Sequence, residues 1–220
     1  MKTLLVCAAV KEELDALLPL LEADEAGWSG SIGGVGVLAR TLGVGPVEAA
    51  LGAAAALAER PVSGAILVGT CGAFPGSGLG IGSVAVIERS LLTSSDAGAG
   101  LAYVPGPAAG LARSSPALIE ALSMGGLPRV GCATVVAITR DGDHAAALGR
   151  ASGCEVEHLE AHGFLRAAER AGVPAACLLG VANDVGPLGH EQWKRHAREA
   201  SAAAVAALER VLPGLAPYRV

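Results

Sequence analysis

Two side chains, Glu160 and Asn183, have the types and separation to suggest a reaction. Glu160 stands in Val156-Glu157-His158-Leu159-Glu160-Ala161-His162-Gly163, where it opens a predicted helix running to Ala171. Asn183 and Asp184 close the apolar run Ala175 to Val181, which reads as a buried strand. Strand ends and helix starts meet at one edge of an α/β sheet, so these side chains can converge. A carboxylate there can accept hydrogen bonds from sugar hydroxyls, and an amide can pair with a purine edge. Together they would suit cleavage of an N-ribosidic bond. A shift of one residue would put Asp184 at the base in place of Asn183.

A second acid, Glu13, follows the first predicted strand (Thr3 to Ala9), one turn into an amphipathic helix expected over Lys11 to Leu21. The next buried strand, Ala65 to Val68, leads into Gly69-Thr70-Cys71-Gly72-Ala73. That stretch is expected as a turn, and its small side chains imply that backbone must come close to something. Ile138 ends a predicted strand that starts at Val130, and Thr139 follows it. Glu13, Thr70 to Ala73, Ile138 with Thr139, Glu160 and Asn183 with Asp184 would thus gather in one crevice.

The remaining segments must hold these residues in place. A glycine-rich hairpin, a strand over Ile32 to Thr41 and the turn Gly43-Val44-Gly45-Pro46 precede an alanine-rich helix, Val47 to Glu59; Pro46 suits the first helical position. Ser83 to Ile87 reads as a strand, and the Ser, Gly and Pro-rich segment Ser94 to Pro116 as a mobile surface excursion. Helices are expected at Pro116 to Ser123, His144 to Arg150, Glu160 to Ala171 and Glu191 to Val211. Strands alternating with helices indicate an α/β sheet between helical layers. No internal repeat or interdomain linker divides the sequence, so residues 1–220 are expected to form one domain.

With 52% hydrophobic and 17% charged residues, the 220-residue chain can bury one substantial core. A net charge of −5 argues against nucleic acid, whose phosphates demand clustered Lys and Arg. Apolar stretches are interrupted well before membrane-spanning length, and Lys11, Glu12 and Glu13 fall where a signal peptide would be cleaved. A small-molecule partner and a cytoplasmic location are the expectation. The five cysteines include no Cys-x-x-Cys pair and read as buried thiols.

Several motifs resolve to plain structure. Gly76 to Gly82 lacks the Lys-Ser/Thr of a phosphate loop, and Gly43-Val44-Gly45 lacks the third glycine and acidic partner of a dinucleotide site. His158 and His162, placed four apart on one helix face, have Glu160 two residues after the first histidine; in a zinc-protease helix it would follow directly. No Gly-x-Ser-x-Gly elbow occurs. Neither a metal nor an organic cofactor is expected.

The residues resemble the nucleoside phosphorylase and nucleosidase superfamily over almost the whole chain. Val10-Lys11-Glu12-Glu13-Leu14, Gly43-Val44-Gly45-Pro46-Val47-Glu48-Ala49-Ala50 and Val68-Gly69-Thr70-Cys71-Gly72-Ala73 are similar to segments of methylthioadenosine/S-adenosylhomocysteine nucleosidases. Thr134 to Thr139, Val156 to Ala161, Ala182-Asn183-Asp184-Val185-Gly186-Pro187 and Trp193 most resemble futalosine hydrolases of menaquinone biosynthesis. Their patterns run roughly Thr-Val-x-x-Val-Thr-Gly-Thr, Val-Glu-x-Met-Glu-Gly and Ser-Asn-x-Val-Gly-Pro. Arg140-Asp141, Ala161, Ala182 and Leu188-Gly189 depart from them.

The resemblance implies a three-layer α/β sandwich with a mixed, partly barrel-like central sheet, assembled as a homodimer or higher homo-oligomer. It implies that Glu160 binds the ribose hydroxyls, Glu13 activates water, and Asn183 or Asp184 faces the base. Thr70, Cys71, Gly72 and Ala73 would line the ribose side, Ile138 with Thr139 the base side, and Leu159 would also bind substrate. Phosphorylases of this superfamily carry an Arg three residues before the Ser or Thr of the glycine-rich segment. Here that position is Leu67, which implies water as nucleophile, with Arg140 as another possible guanidinium. The reaction implied is release of hypoxanthine from futalosine. Methylthioadenosine/S-adenosylhomocysteine cleavage, purine nucleoside phosphorolysis and non-catalytic nucleoside binding are the alternatives.

Overall fold

In a computed structural model describing residues 3–106 and 110–215, ten strands form one mixed sheet. In chain order they are β1 (Thr3–Ala8), β2 (Glu22–Asp24), β3 (Gly27–Ile32), β4 (Val35–Thr41), β5 (Gly64–Ala73), β6 (Val84–Thr93), β7 (Leu111–Arg113), β8 (Arg129–Val135), β9 (Val156–His158) and β10 (Ala175–Asp184). The helices are α1 (Pro46–Glu59), α2 (Ser95–Gly98), α3 (Pro116–Ser123), α4 (Gly142–Ser152), α5 (Ala161–Ala171) and α6 (Gly189–Leu215).

Pairing runs β10-β6-β8-β9-β5-β1-β4-β3-β2, and β10 also pairs with β5. The strands β5, β10, β6, β8 and β9 therefore close a circuit, and β1 to β4 leave it as an open wing. The expected partly barrel-like sandwich is the observed architecture. Strand alternation explains its layers, because successive side chains point to opposite faces. Leu5 and Cys7 of β1 join a core with α1 and α5, whereas Leu4, Val6 and Ala8 join another with α3 and α6. Burying each such leucine contributes about 1.5–3 kcal/mol.

Four expected elements differ. Lys11 to Leu21 is not an α-helix but two 3₁₀ turns, Lys11–Leu14 and Leu18–Leu20. Pro19 has no N–H and disfavours α geometry at Leu18, so the segment tightens into i to i+3 bonds such as Leu17 N to Leu14 O, 2.7 Å. Leu14 and Leu17 are nonetheless buried. Gly69 to Ala73 is not a turn; it is the end of β5, which is buried throughout. β8 stops at Val135, so Ile138 and Thr139 lie on the loop beyond it. His158 ends β9, and no helix face carries it together with His162.

Ser94 to Pro116 contains more structure than a plain excursion. It holds α2, capped by the Ser94 hydroxyl accepting from Ala97 N, and β7, paired with β6; Pro107 to Ala109 lie outside the described residues. The five cysteines are buried free thiols, as expected. Among the described residues no helix is long and apolar enough to cross a membrane.

Candidate active site

Glu13 leaves β1 on the first 3₁₀ turn and lays its carboxylate across the backbone of β5. Oε1 accepts from Thr70 N at 2.9 Å and from the Thr70 hydroxyl at 3.1 Å, while Oε2 accepts from Ala9 N at 3.1 Å. Gly69 permits this approach: a Cβ there would come within 2.9 Å of Glu13 Oε1. Burial raises the Glu13 carboxyl to about 7, against the lowering effect of the Thr70 and Ala9 bonds and with a further upward push from Glu160. A carboxyl poised there can exchange a proton near neutral pH. The Thr70 oxygen also accepts from Trp193 Nε1 at 3.1 Å, so a donor chain runs from indole through hydroxyl to carboxylate.

Glu160 is buried at the start of α5, and both its oxygens are engaged. Oε1 accepts from Gly45 N, at the N-terminus of α1, at 2.7 Å; Oε2 lies 3.2 Å from His158 Nε2. Asn183 comes from the end of β10, where a register shift between Val181 and Asn183 sets it opposite Gly72. A Cβ on Gly72 would meet Asn183 Nδ2 at 2.8 Å, so that strand too must be bare where the amide lies. Nδ2 donates one hydrogen to the Asp184 carbonyl at 2.9 Å, which leaves the other hydrogen free.

These side chains share a cleft of about 320 Å³, walled by Val10, Val44, Ile138, Leu159 and Trp193 among others. Among the residues lining it there is no lysine or arginine. A mostly apolar pocket with a few converging polar groups is the form small-molecule sites take.

The family model described as "Phosphorylase superfamily" matches residues 5–213. The chain belongs to the phosphorylase superfamily. It is 31% identical to futalosine hydrolase of Thermus thermophilus over 210 residues, covering 88% of this chain and 90% of the relative. Two solved structures share the fold at lower identity. One is a 5′-methylthioadenosine/S-adenosylhomocysteine nucleosidase of Neisseria meningitidis in complex with methylthio-immucillin-A, with TM-score 0.85, 19% identity and coverage of 98% and 100% of the two chains. The other is native futalosine hydrolase of Helicobacter pylori, with TM-score 0.86, 15% identity and coverage of 97% and 98%. These relatives are nucleosidases, enzymes that hydrolyse N-glycosidic bonds.

Measured against this phosphorylase-superfamily cleft, the residues singled out from sequence divide cleanly. Glu13, Thr70, Cys71, Gly72, Ile138, Leu159, Glu160 and Asn183 all line it. Asp184, Ala73 and Thr139 do not. Asp184 is exposed and held by Gln192, its N donating to Oε1 at 2.9 Å and its Oδ2 accepting from Nε2 at 3.1 Å. Thr139 is buried, its N donating to Glu157 Oε1 at 3.0 Å and its hydroxyl bonding Oε2 of the same carboxylate, which anchors the loop that presents Ile138. Ile138 itself is 52% exposed, not core. Leu67 is buried in β5 and Arg140 is exposed and away from the lining, so neither brings a cation to the cleft. Burial pushes the Cys71 thiol up to about 12, with Glu13 adding to it, so Cys71 fills space and offers no thiolate nucleophile.

Sequence reasoning missed His158, Glu157, Val44 and His190 as part of the site, and took Trp193 only as part of a pattern. His190 and Trp193 stack with ring centroids 6.1 Å apart and an interplanar angle of 9°, forming one wall at the start of α6. The expected helix starts at Glu191, one residue too late to pair His190 with Trp193; in the structure α6 starts at Gly189 and sets them i, i+3. His162 turns away from His158: its N donates to Thr134 Oγ1 at 3.1 Å and its Nδ1 to the Ser90 carbonyl at 3.2 Å. Among the described residues, no three or more His, Cys, Asp or Glu side chains gather as a metal site.

Proposed function

We propose that this protein hydrolyses the N-ribosidic bond of a 6-oxopurine nucleoside, with futalosine as substrate and hypoxanthine and dehypoxanthine futalosine as products. The observation that carries the reading is the meeting of Glu13, Glu160 and the Asn183 amide in one cleft whose lining has no lysine or arginine. The 31% identity to a futalosine hydrolase supports the choice of substrate.

Breaking the C1′–N9 bond builds positive charge on the sugar and negative charge on the base, as in other oxocarbenium-like glycoside cleavages. Glu160 accepts hydrogen bonds from the 2′ and 3′ hydroxyls, which strengthen as the ring becomes cationic. Glu13, in its ionised form, takes a proton from the attacking water; such help supplies about 10² to 10⁴ in rate. The free Asn183 hydrogen donates toward N7 and O6 of hypoxanthine, where an ionised aspartate would set acceptor against acceptor. Water is the nucleophile, because the buried Leu67 offers a phosphate dianion no charge-assisted hydrogen bond.

The test is incubation with futalosine, inosine and methylthioadenosine, each with and without phosphate. Hypoxanthine released from futalosine without phosphate is expected. A phosphate requirement would refute the water assignment, release of adenine alone would refute the role of Asn183, and stabilisation by a nucleoside without turnover would mark a binding protein. We propose, too, that the protein works in the cytoplasm as a homo-oligomer. Val44, Val47 and Leu51, 57%, 67% and 62% exposed, extend from the cleft rim along α1 and would be covered in such an assembly. Sedimentation analysis tests the assembly, and a monomer at micromolar concentration would contradict it.

A further inference from the structure

His158 touches Glu160 and the backbone at once, and the directions of its hydrogen bonds fix which nitrogen carries the proton. Nδ1 accepts from Glu160 N at 3.1 Å and from Ala161 N at 3.0 Å. These are orphan donors at the N-terminus of α5, whose N-cap residue, Glu160, makes no side-chain cap of its own. A nitrogen facing two N–H groups must be bare. The proton of the neutral ring therefore sits on Nε2, which points at Glu160 Oε2 at 3.2 Å. The His158 side chain is 5% exposed, so water does not compete for either end.

We propose that His158 is a positioning residue: in its Nε2–H form, one imidazole caps α5 through Nδ1 and fixes the Glu160 carboxylate through Nε2, in the rotamer that meets the substrate. With Gly45 N on the other oxygen, Glu160 is restrained at both ends before anything binds. A carboxylate that must accept two sugar hydroxyls gains from such preorganisation, because its geometry need not be bought from binding energy. The assignment of sugar contact rests on the nucleosidase reading above; the tautomer and the two bonds do not.

The two functions separate by substitution, since an Asn carbonyl can stand where Nδ1 stands and a Gln amide N–H can reach where Nε2–H reaches. His158→Asn keeps an acceptor for the helix N-terminus and loses the donor to Glu160. We expect it to melt within about 1 °C of the wild type while kcat/KM falls about 10- to 100-fold, the range a misplaced group near the reacting centre can cost. His158→Gln keeps the donor and loses the cap. It is expected to melt about 2–4 °C lower, as loss of one cap in a chain of this size implies, yet to stay within about fivefold of wild-type kcat/KM. If the two variants lose activity in step with their melting temperatures, His158 is structural only and the proposal falls.

Long-range ¹⁵N–¹H NMR of the intact protein at pH 7 reads the tautomer without reference to any substrate. A protonated Nε2 with a bare Nδ1 supports the proposal, and an Nδ1–H ring or an imidazolium overturns it. A wild type that cleaves no purine nucleoside would refute the function proposed for the cleft, while the NMR result would still decide how His158 holds Glu160.

Discussion

The two sides of the cleft are built differently. On the carboxylate side, Glu13 and Glu160 are pinned by backbone N–H groups of Ala9, Thr70 and Gly45, and by His158, all on or beside strands of the central sheet. On the amide side, Asn183 is bonded within the described residues only to the carbonyl of its own neighbour, and Ile138, His190 and Trp193 stand on a loop and a helix start, all exposed to some degree. Backbone donors cannot be lost by substitution of a side chain, so much of the carboxylate side is fixed by the fold itself. The other side has fewer such anchors and can vary without disturbing the core.

The most damaging break should fall on the pinned side. Glu160→Gln keeps size and, on the role proposed above, loses the charge that would strengthen its bonds to the sugar hydroxyls as the ring becomes cationic; we expect kcat/KM to fall about 10³-fold with an unchanged circular dichroism spectrum. A variant retaining its rate would remove Glu160 from the reaction. Glu13→Gln should cost about 10²-fold or more and should also flatten the acid limb of the pH profile. The sign follows from the raised carboxyl: with its midpoint at about 7, Glu13 is protonated and unable to take a proton below that pH, and ionised above it. Wild-type kcat/KM should therefore rise with pH through about 7 and level off beyond. A profile falling over that range would make Glu13 an acid in the step, not a base.

How much of this was legible in the sequence follows the same division. β1, α3, α5 and most of β10 were readable because their apolar runs and spacing match the elements they form. Glu13, Glu160 and the small residues of β5 were readable together, because all fall just past expected strands, where an α/β crevice collects side chains. Gly69 to Ala73 was taken for a turn because glycine is a poor strand former; tertiary pairing with β10 and β9 overrides that preference, and bare backbone is what admits Glu13 and Asn183. The choice between Asn183 and Asp184 was open because strand alternation alone could not reveal the bulge after Val181 that turns Asn183 inward. His158 was read as one of a histidine pair on a helix, since sequence does not show that β9 ends there with the ring folded back over the start of α5.

On the amide side a smaller effect is expected, and of a different kind. Asn183→Asp should shift the preference from 6-oxopurine toward 6-aminopurine nucleosides by about 10- to 100-fold in the ratio of kcat/KM values, since an aspartate accepts from an exocyclic amine and repels O6. The Asp184→Asn variant should leave that ratio alone, because Asp184 is spent on Gln192 outside the cleft. If Asp184→Asn changes base preference and Asn183→Asp does not, the register assigned to the end of β10 is wrong.

The smallest effect tests a side-chain bond that joins the two sides. Trp193 Nε1 donates to the Thr70 oxygen, and that hydroxyl in turn donates to Glu13. Donation into an oxygen strengthens the hydroxyl as a donor, by a modest cooperative fraction. Trp193→Phe keeps the aromatic wall beside His190 and deletes the N–H, so the Thr70 hydroxyl supports the Glu13 carboxylate less well. The midpoint of the acid limb should then move upward by a few tenths of a pH unit while the plateau rate changes less than twofold. Thr70→Val removes the hydroxyl altogether and leaves Thr70 N–H as donor, so its midpoint should lie higher again. In the double variant the Trp193 substitution should add nothing, because its only route to Glu13 has gone. Additive shifts would instead mean that Trp193 acts on Glu13 by excluding water, and the carboxylate side would owe its proton affinity to the aromatic wall and not to the strands beneath it.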